Sequence, residues 1–255
     1  MSQSLFKSSF TLPLRWPALA SQCAVCHSWP AHQVCGPCVA RFSPQLACCE
    51  TCAIALPEDL SIGLRNAQSR CLDCIRQPPP LDAALAVVQY IYPWSSLVTR
   101  YKFGDHPGWA AFFAGLMLGS PSVRQALNSL QTGDLIVPVP LSAARMESRG
   151  FNQAWELASA LAKQSGSAGN SDAKLLLRVR DTRPQTELAR EARMANVKGA
   201  FQVDPLRLTL LTGRRVVLVD DVMTSGASLF AAAAALRQAG AAHITGMVLA
   251  RTPAS

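Results

Sequence analysis

Asp220 and Asp221 close the apolar run Val216–Val219 and are followed by three hydroxyls, Thr224, Ser225 and Ser228, set around Gly226. The next residues, Leu229–Leu236, read as a helix. A buried strand, a short loop and a helix N-terminus together present backbone N–H groups and a positive dipole end to an anion. Gly226 lets the backbone come close to such a ligand. Two carboxylates at the same edge suit a hydroxyl-rich or cationic group beside that anion. The loop has neither G-x-x-x-x-G-K-[ST] nor G-x-G-x-x-G, so it is not a P-loop or a dinucleotide fingerprint. A plain strand-end turn with Ser225 or Ser228 as an N-cap would account for one hydroxyl. It leaves both acids and the other hydroxyls without a role.

A second segment runs from Val137-Pro-Val-Pro-Leu141 to Arg149-Gly-Phe-Asn-Gln153. Arg145 and Arg149 are four residues apart, so on one helical turn both guanidinium groups project the same way. Beside a phosphate site they would clamp a diphosphate. Taken alone, the simpler reading is a solvated helix face with Glu147 as a partial neutraliser. A third segment, Arg183-Pro-Gln185-Thr-Glu-Leu188 followed by Arg193, Asn196 and Gly199, is also basic. Arg190 is read as part of a solvated face.

All nine cysteines lie between Cys23 and Cys74. Eight form C-x-x-C pairs: Cys23/Cys26, Cys35/Cys38, Cys49/Cys52 and Cys71/Cys74. Two intervening residues let both sulfurs face one tetrahedral Zn²⁺, and two such pairs close one four-thiolate site. Four pairs allow two sites. Sequential pairing is the simplest, and interleaved pairing stays open. Cys48 is left over. A disulfide scaffold suits secreted chains, and the N-terminus lacks a continuous apolar core or a clear cleavage site. A closed four-thiolate site has no open coordination position, so its role is folding and not catalysis.

The elements that must position these residues follow from the apolar pattern. Gln77-Pro-Pro-Pro80 is a stiff break that separates a Cys-rich domain, 1–80, from a second domain, 81–255. Beyond it, strands are expected at 84–92, 135–139, 174–179, 216–219 and 243–250. Helices are expected at 94–103, 108–118, 152–163 and from Leu229. Alternating strands and helices indicate an α/β fold with a mostly parallel sheet, whose ligands sit beyond the carboxyl ends of the strands. With 49% hydrophobic residues and 16% charged, the chain is globular. Its net charge of +8 permits a polyanionic partner without requiring one. No apolar run reaches the ~18–20 residues that span a bilayer, and the expected location is cytoplasmic.

The stretch Val216–Leu229 resembles the phosphoribosyl diphosphate (PRPP) motif of type I phosphoribosyltransferases: apolar strand, two acids, then T-x-G-x-[ST]. The resemblance implies that Asp220 and Asp221 hold ribose hydroxyls. It also implies that Val222, Met223, Thr224, Ser225, Gly226, Ala227 and Ser228 form the 5-phosphate loop. Ser228 stands where Thr is more usual, and the hydroxyl is kept. The phrase RGFNQ, the cysteines and Tyr101-Lys102-Phe103-Gly104 are together similar to the narrower ComF/GntX-like family of bacterial competence and DNA-utilisation proteins. That resemblance covers nearly the whole chain in order. It implies a type I phosphoribosyltransferase-like parallel sheet flanked by helices, with an N-terminal zinc ribbon. It implies PRPP as ligand, with Mg²⁺ on the diphosphate. Arg145, Arg149, Lys102 and Arg183 are expected at the phosphates, with Asp220, Asp221 and Arg149 acting in transfer to an unidentified acceptor. Gln185 is a further candidate in that loop. For Lys102 a surface lysine is the competing reading. Zinc ribbons and a basic surface suit single-stranded DNA as a partner, and the family resemblance implies work alongside a competence helicase or DNA-uptake machinery. The alternative function is a non-catalytic DNA-binding or PRPP-sensing accessory protein.

Overall fold

The computed structural model describes residues 21–29, 31–57, 69–103, 108–167, 171–180 and 197–254. Gly104, Arg183, Gln185, Arg190, Arg193 and Asn196, named above, lie outside them. The chain divides into two compact units, Met1–Val39 and Ala40–Ser255. By packing, the division therefore falls upstream of the proline break, and Cys49, Cys52, Cys71 and Cys74 belong to the larger unit.

The larger unit is built on a four-stranded parallel sheet of order β1-β6-β5-β2. Its strands are β1 (Ala83–Gln89), β2 (Leu135–Pro138), β5 (Arg215–Met223) and β6 (His243–Arg251). A short antiparallel pair, β3 (Leu176–Arg178) and β4 (Phe201–Val203), stands apart from it. β5 and β6 are the central strands, and both are buried along almost their whole length, as a sheet covered on two faces requires. Side chains alternate between those faces. Val216, Leu218, Ile244 and Val248 join one core cluster with helix α9 (Ala227–Gln238) and with Cys49, Cys52 and Cys74. The intervening Val217, Val219 and Met247 point to the opposite face, where α7 (Gln153–Ser165) packs on β2 and β5, and α4 (Gly108–Gly119) packs on α7. The other helices are α1 (Gly36–Phe42), α2 (Leu72–Arg76), α3 (Trp94–Phe103), α5 (Pro121–Asn128), α6 (Ala143–Arg149) and α8 (Leu208–Leu211).

Two differences from the sequence pattern matter for the site. β5 does not stop at Val219. It pairs with β6 as far as Val222↔Ala250 and Met223↔Arg251, so both aspartates are strand residues. The loop that follows is only Thr224–Gly226 before α9 begins. The segment around 174–179 is a strand, but it pairs with β4 and not with the parallel sheet.

Each four-cysteine group has the same local design. The first pair sits on a tight knuckle, the second at a helical turn. In one knuckle His27 N–H donates to the Cys23 carbonyl at 3.0 Å, and in the other Ala53 N–H donates to the Cys49 carbonyl at 2.8 Å. His27 and Ala53 both have positive φ, 61° and 54°, the sharp turn that brings the paired thiols together. Cys35 and Cys71 then begin the helical turns, accepting from Val39 N–H and Ile75 N–H, each at 3.0 Å.

Candidate functional site

Parallel strands leave their carboxyl ends at one edge of the sheet, and a cleft of about 280 Å³ opens there. β5 contributes Asp220, Asp221, Val222 and Met223, and the loop and helix start contribute Thr224, Gly226, Ala227, Ser228 and Leu229. Lys102 comes from the end of α3, and Arg145 and Arg149 from α6. The residues singled out from three separate stretches of sequence thus line one cleft. Ser225 does not line it; its hydroxyl accepts from Ala227 N–H at 3.4 Å and shapes the turn into α9.

The local sequence explains the placements. Gly226 has φ +82°, and a Cβ there would stand 2.7 Å from the Met223 methyl and the Phe230 ring. Only glycine fits the turn, which sets the N-terminus of the twelve-residue helix α9 at the cleft. α6 starts at the N-cap Ser142, whose hydroxyl accepts from Arg145 N–H, and stops at Gly150 in the left-handed region. Asn152 then does two jobs. Its Oδ1 accepts from Ala154 N–H at 2.9 Å to cap α7, and its Nδ2 donates to the Val139 carbonyl at 3.2 Å. That tie holds the arginine-bearing segment against the end of β2.

Electrostatically the cleft pairs an acidic floor with a basic rim. Asp221 is 3% exposed, and the Lys102 ammonium lies 3.1 Å from its Oδ2. Lys102 is thus an ion-pair partner inside the cleft and not a solvated surface residue. Asp220 accepts from Asp221 N–H at 2.9 Å, and Asp221 from Val222 N–H at 2.7 Å. Burial, and then the negative charge of Asp221, push the Asp220 carboxyl up to about 8. Arg149 stacks over the Phe103 ring at 5.0 Å, which helps to fix its guanidinium.

Three lining residues were not named as site residues from the sequence: Tyr90, Gln153 and Arg178. Tyr90 follows β1, and its N–H donates to the Arg251 carbonyl at 2.8 Å. Gln153 is 3% exposed, and among the described residues its Oε1 has no hydrogen-bond partner, a buried acceptor open to a donor. The RGFNQ phrase contains it, and that phrase was the available clue. Arg178, on β3, also lies over the Phe201 ring at 5.4 Å. It becomes a lining residue through pairing between strands distant in sequence.

The two cysteine groups fit metal on chemical grounds. All nine cysteines are free thiols. Four thiolates about 2.3 Å from one Zn²⁺ stand about 3.8 Å from one another. The Cys26 and Cys35 sulfurs are 3.6 Å apart, and the Cys52 and Cys71 sulfurs 3.7 Å. Within each group, Cys23/Cys26/Cys35/Cys38 and Cys49/Cys52/Cys71/Cys74, all four sulfurs lie within 4.8 Å of one another. The sequential pairing is the one the fold assembles. Among the described residues no helix is long and apolar enough to cross a membrane.

A helix start, two adjacent carboxylates and a basic rim thus share one cleft. Residues 147–255 match the phosphoribosyl transferase domain family. DNA utilization protein YhgH of Salmonella typhimurium is 35% identical over 211 residues, 80% of this chain and 90% of that protein. Its Escherichia coli K12 counterpart is 32% identical over the same shares. Competence protein F of Haemophilus influenzae is 32% identical over 188 residues, 74% of this chain and 81% of that one. The chain belongs to the ComF/GntX-like family of competence and DNA-utilisation proteins and carries a phosphoribosyltransferase-type domain.

Proposed function

We propose that this cleft binds PRPP and transfers its phosphoribosyl group to an acceptor, in the service of DNA uptake or utilisation. The observation that carries the reading is the meeting of Asp220 and Asp221 with the N-terminus of α9 inside a rim of Lys102, Arg145 and Arg149. The ligand this arrangement suits has a phosphate at one end, vicinal hydroxyls in the middle and further negative charge at the other.

In this reading the Thr224–Ser228 loop and the helix start take the 5-phosphate, through backbone N–H groups and hydroxyls. Asp220 and Asp221 accept from the ribose 2- and 3-hydroxyls and set the sugar's rotation. Binding frees Lys102 from Asp221 to face the diphosphate. Arg145 and Arg149 take the charge that builds on diphosphate as the bond from ribose C1 to its oxygen breaks. The acceptor's lone pair forms the new bond at C1, and diphosphate leaves. Mg²⁺, when bound, supplies charge neutralisation on the diphosphate; it keeps several waters and binds mostly through phosphate oxygens. Of the chain's own groups, Asp220 and Asp221 are placed to hydrogen-bond those waters. Arg183, by its resemblance, adds to the diphosphate side. The work of the protein is positioning and electrostatics, which suits a transition state with positive charge on the sugar ring.

The names of the relatives, DNA utilization protein and competence protein, support a setting beside DNA, and single-stranded DNA and an uptake helicase are the partners proposed for it. Titration calorimetry with PRPP and Mg²⁺ tests the reading. Wild type binds saturably, and an Asp220→Asn/Asp221→Asn variant loses the binding at least tenfold while unfolding at a comparable temperature. Absence of binding to wild type would overturn the reading and turn attention to single-stranded DNA as the ligand of the basic rim.

A further inference from the structure

Arg251 ends β6 and is 7% exposed. Its guanidinium meets two regions that the sequence sets about 170 residues apart. Nε donates to the carbonyl of Cys52, in the knuckle of the second cysteine group, at 2.9 Å. Nη1 donates to the carbonyls of Met223 at 3.0 Å and Thr224, and to that of Thr252 at 3.0 Å. One rigid, planar cation therefore joins the metal knuckle to the first residues of the anion loop. The link is reinforced by packing, since Cys49, Cys52, Cys74, Met223, Ala227 and Leu229 share one core cluster.

The direction of the peptides gives the link its consequence. A trans peptide points its carbonyl and its N–H to opposite sides. With the carbonyls of Met223 and Thr224 turned to Arg251, the N–H groups of Thr224 and Ser225 point away from it. The loop's donors are thus oriented from behind by a side chain that touches no ligand. Cys52 supplies one of the four sulfurs that fit Zn²⁺, so metal in that group fixes the peptide on which Arg251 leans.

We propose that Arg251 is a positioning residue that couples metal occupancy of the Cys49/Cys52/Cys71/Cys74 group to anion affinity at the Thr224–Ser228 loop. The coupling rests on the loop holding an anion, as proposed above. Coupling between sites is reciprocal. Metal in the second group raises affinity for the anion, and the anion slows loss of that metal. The first group, Cys23/Cys26/Cys35/Cys38, lies in the other unit and is the internal control.

The test uses the zinc-loaded full chain, an excess of a colorimetric chelator, and PRPP with Mg²⁺ as the probe. In wild type, the probe slows release of one of two zinc ions by about fivefold or more and leaves the other unchanged. A Cys23→Ser/Cys26→Ser variant keeps only the protected ion. Arg251→Lys keeps a charge and the fold but cannot span the knuckle and the loop together. It retains two zinc ions per chain, binds PRPP more weakly, and loses the protection. Arg251→Gln, if it folds, behaves in the same way. Protection that persists in Arg251→Lys overturns the proposal. So does PRPP that binds wild type without slowing either ion. PRPP that fails to bind wild type at all, seen by calorimetry, overturns the proposed function and this coupling with it.

Discussion

The two four-cysteine groups share a knuckle, a helical turn and a sulfur spacing, and they differ in what surrounds them. Around Cys23, Cys26, Cys35 and Cys38, within the unit Met1–Val39, the described residues offer one buried aliphatic side chain, Val34. Around Cys49, Cys52, Cys71 and Cys74 the chain builds a core. Ala53 is buried with the sulfurs, Ile54 and Leu56 pack against them, and the same cluster continues into β5, β6 and α9. The Glu50 carbonyl, inside the second knuckle, accepts from Ala84 N–H on β1 at 2.6 Å, and the Cys52 carbonyl accepts from Arg251. The same metal-suited motif thus serves a small unit with little else to hold it in one case. In the other it shares a core cluster with Met223, Ala227 and Leu229, which line the cleft. Local motif geometry does not decide which role a metal site has; the side chains packed behind it do.

The largest effect that separates the groups comes from removing them one at a time. A structural Zn²⁺ contributes about 10–16 kcal/mol of apparent binding free energy in small zinc domains. Cys49→Ser/Cys52→Ser removes two of four ligands from a site continuous with the main core. It is expected to abolish cooperative unfolding of the larger unit and all PRPP binding. Cys23→Ser/Cys26→Ser is expected to leave the main unfolding transition within a few degrees of wild type and PRPP affinity within about twofold. Scanning calorimetry and titration calorimetry on the two full-length variants read both outcomes. Equal damage from the two variants would erase the distinction.

That distinction was only partly legible in the sequence. The four C-x-x-C pairs and the acids at 220–221 announce themselves locally, by spacing and by their place at a strand end; the spacing of the arginines at 145 and 149 alone suits a solvated helix face, and only the RGFNQ resemblance pointed to a site. The strand at 216 was also legible, yet its end was not. Asp220 and Asp221 look like a loop by polarity, and they are strand residues because β6 supplies backbone partners up to Arg251. Arg251 itself has no motif. It reads as a charge closing an apolar strand, and its role comes from Cys52, Met223 and Thr224, none of which is its neighbour in sequence. Tyr90 and Arg178 were hidden for the same reason. The proline run at 78–80 marked the expected boundary, but a stiff break does not report which side of it the second cysteine group packs against.

A smaller effect sharpens the comparison from the cleft side. Gly226→Ala would place a Cβ 2.7 Å from the Met223 methyl and the Phe230 ring, at a φ of +82°. The left-handed backbone alone costs an alanine about 1–2 kcal/mol, and the Phe230 ring has to shift as well. The main unfolding temperature is expected to drop by several degrees and PRPP affinity about tenfold, with both zinc ions retained. Zinc release from the first group should be unchanged, which chelator kinetics can measure. A change there would mean that the two groups are not independent.

A last difference is a pH dependence that belongs to the cleft. Burial and the charge of Asp221 push Asp220 up to about 8, above the ordinary carboxylate range. Between about pH 4 and pH 8 the folded chain therefore keeps a proton on Asp220 that the unfolded chain has released. Stability falls as pH rises wherever the folded state binds more protons, by at most about 1.4 kcal/mol per pH unit for one group. The contribution is favourable below the ordinary value and is progressively lost up to about 8. Asp220→Asn cannot release the proton, so the main transition of that variant should fall less between pH 5 and pH 8 than that of wild type. Ribose hydroxyls and hydrated Mg²⁺ are donors and favour the ionised carboxylate. PRPP binding near pH 7 should therefore release a fraction of a proton, and Asp220→Asn should not. Calorimetry in two buffers of different ionisation enthalpy reads that proton directly. Identical heats in the two buffers for wild type would show that Asp220 is already ionised, and the cleft would then lose the electrostatic feature that most distinguishes it from the cysteine-bound unit.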